Sequence, residues 1–391
     1  LKLLHVVPTY LPAWRHGGPI LAIHGLCKAL VARGHGVTVF TTDVHGEGRL
    51  DVPLGEPVEL DGVEVRYFPV VPVPPPLRRL YVAPGMAAAL RAEVPRFDAV
   101  HLHSLFLWPT SAAARQAERS GVPYVLSPRG MLVGEMIRTH GRWRKLAWML
   151  LAERRTIERA AALHLTSDLE AAEAAALDLP LPPRTVIPNG IGPAPSWGGD
   201  LAALSPGVRA VVEKPAFLLF LGRLSWKKGL DRLIPALAAV PGALLAIAGN
   251  DEEEILPMLR KLAHDSGVAE RVRFLGAVHG EEKAALLHRA AALVLPSRSE
   301  NFGNVVLEAW AAGRPVAVTP EVGLAATVRE VGGGIVAAGE LGTALRDLLA
   351  DPARLDAMGR RGAAAVRARF GWPAVAGAME ELYATCAGVP R

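Results

Sequence analysis

"LKLLHVVPTYLPAWRHGGPILAIHGLCKALVARGHGVTVFTT", residues Leu1 to Thr42, decides the architecture. A β-branched run is followed by a loop carrying Gly17 and Gly18, and then by an Ala/Leu-rich segment of helical period from about Ile20 to Arg33. Gly34 stops that segment, and "VTVFTT" supplies the next strand. Strand, helix and strand in this order are the signature of a parallel sheet covered by helices, so the chain is read as α/β.

The same alternation continues outward. "VELDGVEVRYF" places Asp61-Gly62 between two alternating runs, a strong hairpin signal, and the Pro-rich "PVVPVPPPL" follows. Further strands are read in "FDAVHLH", "VPYVLS", "ALHLT" and "TVIPN", each separated by a helical segment. From Pro188 to Pro215 the chain is rich in Gly and Pro without a sustained period, which marks a linker. A second series then runs through "AFLLFLG", "ALLAIAG", "RVRFLG", "AALVLPS" and "RPVAVTP". The expected division is residues 1–190, residues 191–370, and a terminal helix over residues 371–391 that crosses back to the first domain.

Composition agrees with two real cores. The chain has 391 residues, 51% hydrophobic and 21% charged. That is about right for two domains of the usual ~100 to 200 residues. The run Leu1 to Pro8 is too short for a signal peptide, and no apolar stretch approaches the ~20 residues of a membrane span, so a cytoplasmic location is expected. Cys27 and Cys386 form no CxxC pair, and both are expected to be buried thiols. A net charge of +5 admits anionic partners without choosing among them. There is no strand followed by GxGxxG with a distant acidic residue, and no GxxxxGK[ST], so the usual dinucleotide and P-loop readings fail.

Chemistry concentrates in two stretches of the second series. In "FLGRLSWKKGLDRLI" Arg223 follows a strand end and Lys228-Gly229 precedes an amphipathic helix. Ligands of open α/β sheets bind outside the carboxyl ends of the strands. An anion is the natural guest there, held by a guanidinium fork, a mobile ammonium and a helix N-terminus. Either cation alone reads more readily as a solvated loop charge. In "SRSENFGNVVLEAWAAGRPV" Gly303 permits a close backbone approach, and the amides around Asn304 and Val305 open a helix that Gly313 and Pro315 end. If that helix reaches back to Glu300, Glu300 and Glu308 fall on one side of it. Carboxylates beside a diphosphate are poor anion ligands but good acceptors for vicinal hydroxyls, which a sugar nucleotide carries at both ends.

Taken together, the Glu300/Glu308 E-x7-E element, "GRLSWKKGLD" and the "PNGI" linker resemble the large family of retaining, GT-B-fold glycosyltransferases often called family 4. The resemblance covers nearly the whole chain and implies two Rossmann-like, doubly wound lobes facing across a cleft. It implies an acceptor-binding first lobe and a second lobe that binds a nucleotide sugar. UDP- or GDP-linked sugars are the expected donors, with ADP left open, and no cofactor is implied. Glu300 would contact the donor sugar and Glu308 the ribose, while Arg223 and Lys228 neutralise the diphosphate. Asn301, Phe302 and Gly303 would line the sugar, with amides from Phe302 to Asn304 and Val305 as donors. Gly249 and Val278 would flank the base. In the first lobe Gly17 and Gly18 resemble the glycine loop near the donor phosphate, and they read equally as a plain turn. His103 would lie in the acceptor cleft, His101 is read as structural, and Arg129-Gly130 resembles the acceptor-side loop. The segment "EVGLAATVRE" departs from the family's Gly-rich turn and receives no role.

The implied mechanism retains anomeric configuration by front-face attack, with the leaving phosphate helping to remove the acceptor proton. No DxD-like element stands at a strand end, so no metal site is assigned and metal independence is expected. Closure of the lobes would assemble His103 and Gly17 against the donor. Residues 138–159, with Trp143, Leu146, Met149 and Leu150 at helical spacing and Arg142, Arg144, Lys145, Arg154 and Arg155 around them, read two ways. One is an interfacial helix on anionic lipid, giving a peripheral enzyme with a lipid-linked or saccharide acceptor; the other is a domain helix with a solvated basic face. Two other classes compete: a silent nucleotide-sugar-binding module acting through partners, and a two-lobed epimerase. Nucleic-acid binding fails for want of a basic patch interleaved with aromatics.

Overall fold

The computed structural model describes residues 1–13, 18–46, 48–74, 78, 80–132, 153–177 and 179–388. The chain forms two compact units, one of Leu1–Gly190 with Trp372–Arg391, the other of Ile191–Gly371.

In the first unit an eight-stranded sheet has the order Arg184–Val186, Ala162–Leu165, Tyr124–Ser127, Ala99–His103, Lys2–Val6, Gly36–Thr42, Val63–Phe68, Pro57–Leu60. Every neighbouring pair is parallel except the last, which is the hairpin expected at Asp61-Gly62. Leu60 faces Val63 across that turn, and Asp61 and Gly62 both take positive φ (52° and 80°), as a two-residue turn between twisted strands requires. Lys2–Val6 sits between the strands that precede and follow it in space, so strand order reverses beside it. In doubly wound sheets that reversal opens a crevice at the strands' carboxyl ends.

Lys2–Val6 is buried on both faces. Leu4 and Val6 join one core with Phe40, Leu102 and Leu126, while Leu3 and Val7 join another with Leu26, Cys27 and Leu30. The helix Gly18–Ala32 supplies that second core, starting two residues before the expected Ile20, and so does the helix Trp372–Ala387 through Val375, Met379 and Tyr383. Trp372, at the start of the terminal helix, lies flat against Gly25 and Gly190: a Cβ on either glycine would fall 2.1 or 2.3 Å from the indole. Interiors at crystal density leave no room for such an atom. Cys27 is buried, whereas Cys386 is only half-buried, which corrects the expectation of two buried thiols.

The second unit holds a six-stranded, all-parallel sheet in the order Val272–Gly276, Leu244–Ala248, Phe217–Leu221, Ala292–Leu295, Val316–Val318, Gly334–Val336. The last of these was not read from the sequence. It is three residues long, and at its first position Gly334 lets Val316 O approach to within 2.0 Å of where a Cβ would stand. Near-continuous apolar runs such as FLLFL, buried at every position, are what a sheet covered on both faces demands.

Candidate active site

In the second unit, cations and carboxylates gather at the carboxyl ends of the central strands. Lys228 follows Phe217–Leu221 by way of a short turn, and its Nζ is paired with Glu300 Oε2, both side chains being about four-fifths buried. Lys283, on the helix Gly280–Arg289, donates to Glu308 Oε1 at 2.8 Å. The other Glu308 oxygen, Oε2, is buried and makes no hydrogen bond. Arg223 Nη1 donates to Glu252 Oε2 at 2.6 Å, and Arg223 is 53% exposed, so this third pair is the most open to exchange.

The two glutamates do not share a helix. The helix is Asn304–Ala311, and Glu300 precedes it in a bridge to Val322, with Glu300 N donating to Glu321 O at 3.1 Å and Gly323 N donating to Glu300 O at 2.8 Å. Gly303, between them, takes φ +96°, a conformation that would strain any residue with a side chain. The helix opens at Asn304 as read and does not reach back to Glu300, so the condition for both glutamates to share one side of it is not met, and "EVGLAATVRE" gains the role it lacked. Glu321 to Gly323 grip the Glu300 backbone, while Leu324 N donates to Phe302 O at 3.1 Å.

Asn301, Asn304 and Val305 surround the start of this helix, whereas Phe302 is a core residue, 3% exposed; what it can offer a ligand is backbone. Trp310, on the same helix as Glu308, is fully buried and its Nε1 donates to Gly333 O at 2.8 Å, which locks the helix rotation that aims Glu308.

Beside these groups a pocket of about 150 Å³ is lined by Leu224, Ile247, Gly249, Asn250, Asp251, Leu256, Phe274, Gly276 and Ala277. Gly249 is forced: a Cβ there would stand 1.8 Å from Gly222 O. Val278 is buried one residue beyond the lining Ala277. Lys283 and Glu252 were not singled out from the sequence, although both follow strands of this sheet; what hid them is that their partners lie 25 and 29 residues away.

The first unit carries a different construction at the corresponding strand ends. His5, His101 and His103 come from two adjacent strands and His164 from a strand one further on, beyond Tyr124–Ser127, and all four are buried. Hydrogen-bond chemistry fixes the direction of the chain through them. His164 Nε2 meets Ile187 O at 2.9 Å, and a carbonyl only accepts, so that nitrogen carries the proton and His164 Nδ1 accepts from Ser127 Oγ at 2.8 Å. Ser127 Oγ must then accept from His101 Nε2 at 2.7 Å, and His101 Nδ1 from the Tyr383 hydroxyl at 2.6 Å. On the other branch the Arg129 guanidinium, 3.5 Å from His103 Nδ1, can only donate. His103 Nε2 therefore donates to His5 Nδ1 at 3.1 Å.

Burial, and after it the Arg129 charge, pushes His5 down to about 3, and it acts the same way on His164, also to about 3. Burial first, then neighbouring histidines and Arg129, holds His101 and His103 well below the ordinary imidazole value. The cluster is neutral. Ring nitrogens of His5, His101 and His103 lie within 4.8 Å of one another, a metal-ligand spacing, but both His101 nitrogens are engaged and the Arg129 charge opposes a second cation there.

Arg129 and Gly130 are held from three sides. Arg129 takes φ +56°, its Nη1 donates to Asn189 Oδ1 at 2.6 Å, and Gly130 N donates to Glu170 Oε1 at 2.7 Å. The Asn189 of "PNGI" thus anchors the arginine that the sequence placed on the acceptor side. Ser104 and Phe106, just past His103, are also at positive φ (71° and 61°). Three non-glycine residues in this region at adjacent strand ends mark a strained, over-determined site. His103 itself is fully buried, so its ring is not open to solvent in this structure. His101, read from the sequence as structural, is the hub of the buried chain. Gly18 begins the helix Gly18–Ala32, while Gly17 and residues 138–152 of the basic segment lie outside the described residues. Arg154 and Arg155 form surface pairs with Glu158 and Glu118. No helix among the described residues is long and apolar enough to cross a membrane.

Comparison with known proteins bears on the family and the fold. A "Glycosyl transferase 4-like domain" matches residues 17–190, and "Glycosyl transferases group 1" matches residues 205–365. The glycogen synthase of Mycobacterium tuberculosis is 37% identical over 214 residues, 51% of this chain, and the aligned stretch spans only 48% of that protein. D-inositol 3-phosphate glycosyltransferase 2 of Catenulispora acidiphila is 30% identical over 98% of this chain and 93% of its own. Among solved structures, sucrose-phosphate synthase from Thermosynechococcus elongatus superposes with a TM-score of 0.77 at 22% identity, covering 100% of both chains. HepE of Anabaena in complex with UDP and glucose does so with 0.71 at 20% identity, covering 98% of this chain and 99% of its own. The chain therefore belongs to the glycosyl transferases group 1 family, family 4, and has the GT-B fold of two Rossmann-like lobes.

Proposed function

We propose that this chain is a retaining glycosyltransferase that moves a hexose-like sugar from a nucleoside-diphosphate donor to a saccharide or lipid-linked acceptor in the synthesis of a surface polysaccharide or glycolipid. The observation that carries the reading is the pair of carboxylates at the strand ends of the second unit, each matched to its own lysine: Glu300 with Lys228 and Glu308 with Lys283. Such pairs keep acceptors for sugar hydroxyls and donors for phosphate oxygens side by side. When a diphosphate enters, Lys228 and Arg223 exchange carboxylate for phosphate, and the amides opening Asn304–Ala311 add helix-terminus donors. Glu300 then accepts from the sugar and Glu308 from the ribose. The pocket lined by Gly249, Phe274 and Gly276 takes the base.

The charge that develops on departure falls on the diphosphate, so Lys228 and Arg223 act on the transition state more than on the ground state. In the first unit His103, held by His5 and Arg129, and the turn Arg129-Gly130 serve the acceptor side. UDP is the favoured nucleotide because HepE, a structural neighbour, is solved with UDP and glucose. Metal independence belongs to the same reading: lysine, arginine and helix amides supply the positive field that a divalent ion would otherwise provide. Peripheral attachment to an anionic membrane through residues 138–159 accompanies a lipid-linked acceptor.

The test is release of free nucleoside diphosphate from UDP-, GDP- and ADP-sugars on addition of glycan and lipid-linked acceptors, with and without EDTA, and the anomeric configuration of the product by proton NMR. One nucleotide class turning over, unaffected by EDTA and with retained configuration, supports the reading. Tight donor binding with no transfer to any acceptor would favour the silent module, and an inverted product would overturn the mechanism.

A further inference from the structure

The second unit has a larger cavity at the opposite edge of its sheet, away from Lys228, Glu300 and Glu308. It has a volume of about 660 Å³ and is walled by residues that open or precede strands: Phe217, Ala243, Ala291 and Pro315. Volumes of this order are those of small-molecule sites. Apolar side chains such as Val240, Leu349 and Leu355 form part of its lining.

Arg289, Arg314 and Arg346 line the same cavity, and among the described residues lining it Asp356 is the one carboxylate. Arg314 is half-buried, its Nε is sealed from solvent, and its guanidinium makes no hydrogen bond and no ion pair. Burial lowers Arg314 from its ordinary value and the Arg289 charge lowers it further, with Asp356 working against both. Arg289 is tethered by Nε to Val212 O at 3.2 Å, which leaves the rest of its fork available. A cation just past the C-terminus of Asn304–Ala311 complements that helix's dipole and accounts for Arg314 alone. It does not account for Arg289 and Arg346 sharing one cavity with it. Arg346 also meets Asp347 at 3.6 Å, but three like charges over an apolar floor, Arg314 among them with no hydrogen bond or ion pair, are the arrangement that an organic anion completes.

We infer that this cavity is a second ligand site, distinct from the donor site, which binds a small organic phosphate such as a sugar phosphate. The phosphate lies against Arg314 and Arg289, and the carbon skeleton lies over the apolar lining. Because Arg314 lies just past the C-terminus of the helix that carries Glu308, occupancy of this site and of the donor site bear on the two ends of one segment.

The experiment is calorimetric titration at constant ionic strength with glucose 6-phosphate, inorganic phosphate and sulfate. It uses the full chain and the variants Arg314→Gln, Arg289→Gln, Arg346→Gln and Lys228→Ala. The expected result is saturable binding of glucose 6-phosphate, tighter than of either inorganic ion. It should be unchanged in Lys228→Ala, weakened about tenfold or more by Arg314→Gln and several-fold by Arg289→Gln. Should Arg314→Gln fail to fold, the exposed Arg289 and Arg346 carry the same test. Absence of saturable binding, binding lost in Lys228→Ala but kept in the arginine variants, or sulfate binding as tightly as the sugar phosphate would each overturn the inference.

Discussion

The two sheets carry functional groups toward the carboxyl ends of their strands, within the strands in the first unit and just beyond them in the second, and they use them in opposite ways. The first unit packs neutral imidazoles into a chain of fixed direction, running from the Tyr383 hydroxyl through His101, Ser127 and His164 to Ile187 O. The second unit sets out ion pairs, Lys228 with Glu300 and Lys283 with Glu308, that stay partly open to solvent. A directed chain between buried groups has one low-energy arrangement and resists rearrangement, because any unmade bond leaves a buried polar atom unsatisfied. An ion pair at a partly wet edge gives up its partner to a better one at little cost. The difference teaches that the carboxyl end of a sheet's strands can serve as fixed scaffolding or as an exchangeable binding surface, depending on whether its groups carry charge.

Acid should break the contrast most strongly. The unfolded chain protonates its histidines near 6.5, whereas folding holds His5 and His164 neutral to about 3. Below 6.5 the unfolded state therefore binds protons that the folded state refuses, so the stability these groups contribute is intact above 6.5 and falls as pH drops toward 3. At pH 5 the loss should be roughly 2 kcal/mol for each of the two, and His101 and His103 shift the same way. Urea unfolding followed at pH 7.5, 6 and 5 checks this, and a flat urea midpoint across that range would contradict the neutral cluster.

Next in size, Lys228→Ala should lower kcat/KM about 10² to 10³-fold because the charge acts on the departing diphosphate, and it should also lower the urea midpoint because the mostly buried Glu300 loses its partner. A loss of stability with kcat/KM unchanged would make Lys228 part of the scaffolding and erase the distinction. Tyr383→Phe tests the other side. It removes the donor to His101 Nδ1 and should cost about 1 to 3 kcal/mol of stability. If activity collapses while stability holds, the histidine chain takes part in the reaction rather than fixing geometry. The smallest change is expected from Glu252→Gln, which frees the exposed Arg223. Donor KM should fall no more than about threefold, the range of a surface pair.

Much of this was legible in the sequence because it depends on local pattern. The alternation of strand and helix, the Asp61-Gly62 hairpin and the position of Lys228 and Glu300 after strands all follow from period and turn chemistry. What was not legible depends on who meets whom across the fold. Lys283 reads as an ordinary helix lysine until Glu308 is brought beside it, and His5 reads as one more residue of a buried strand until His103 is. The start of the helix carrying Glu308 at Asn304 was legible, but where Glu300 goes was not: the pairing of its backbone with the Glu321–Gly323 loop is invisible in a window of twenty residues. Gly334–Val336 was missed because three residues headed by a glycine carry no period at all.

Trp372, wedged between Gly25 and Gly190, also has a consequence for how the protein is made. It begins the helix that completes one core of the first unit, yet it leaves the ribosome only after all of Ile191–Gly371. At usual synthesis rates the nascent first unit waits roughly ten to forty seconds with Leu26, Leu30 and the floor under Trp372 uncovered. The second unit, encoded without interruption, has its full sequence before the first does, so the order of completion is the reverse of the order of translation.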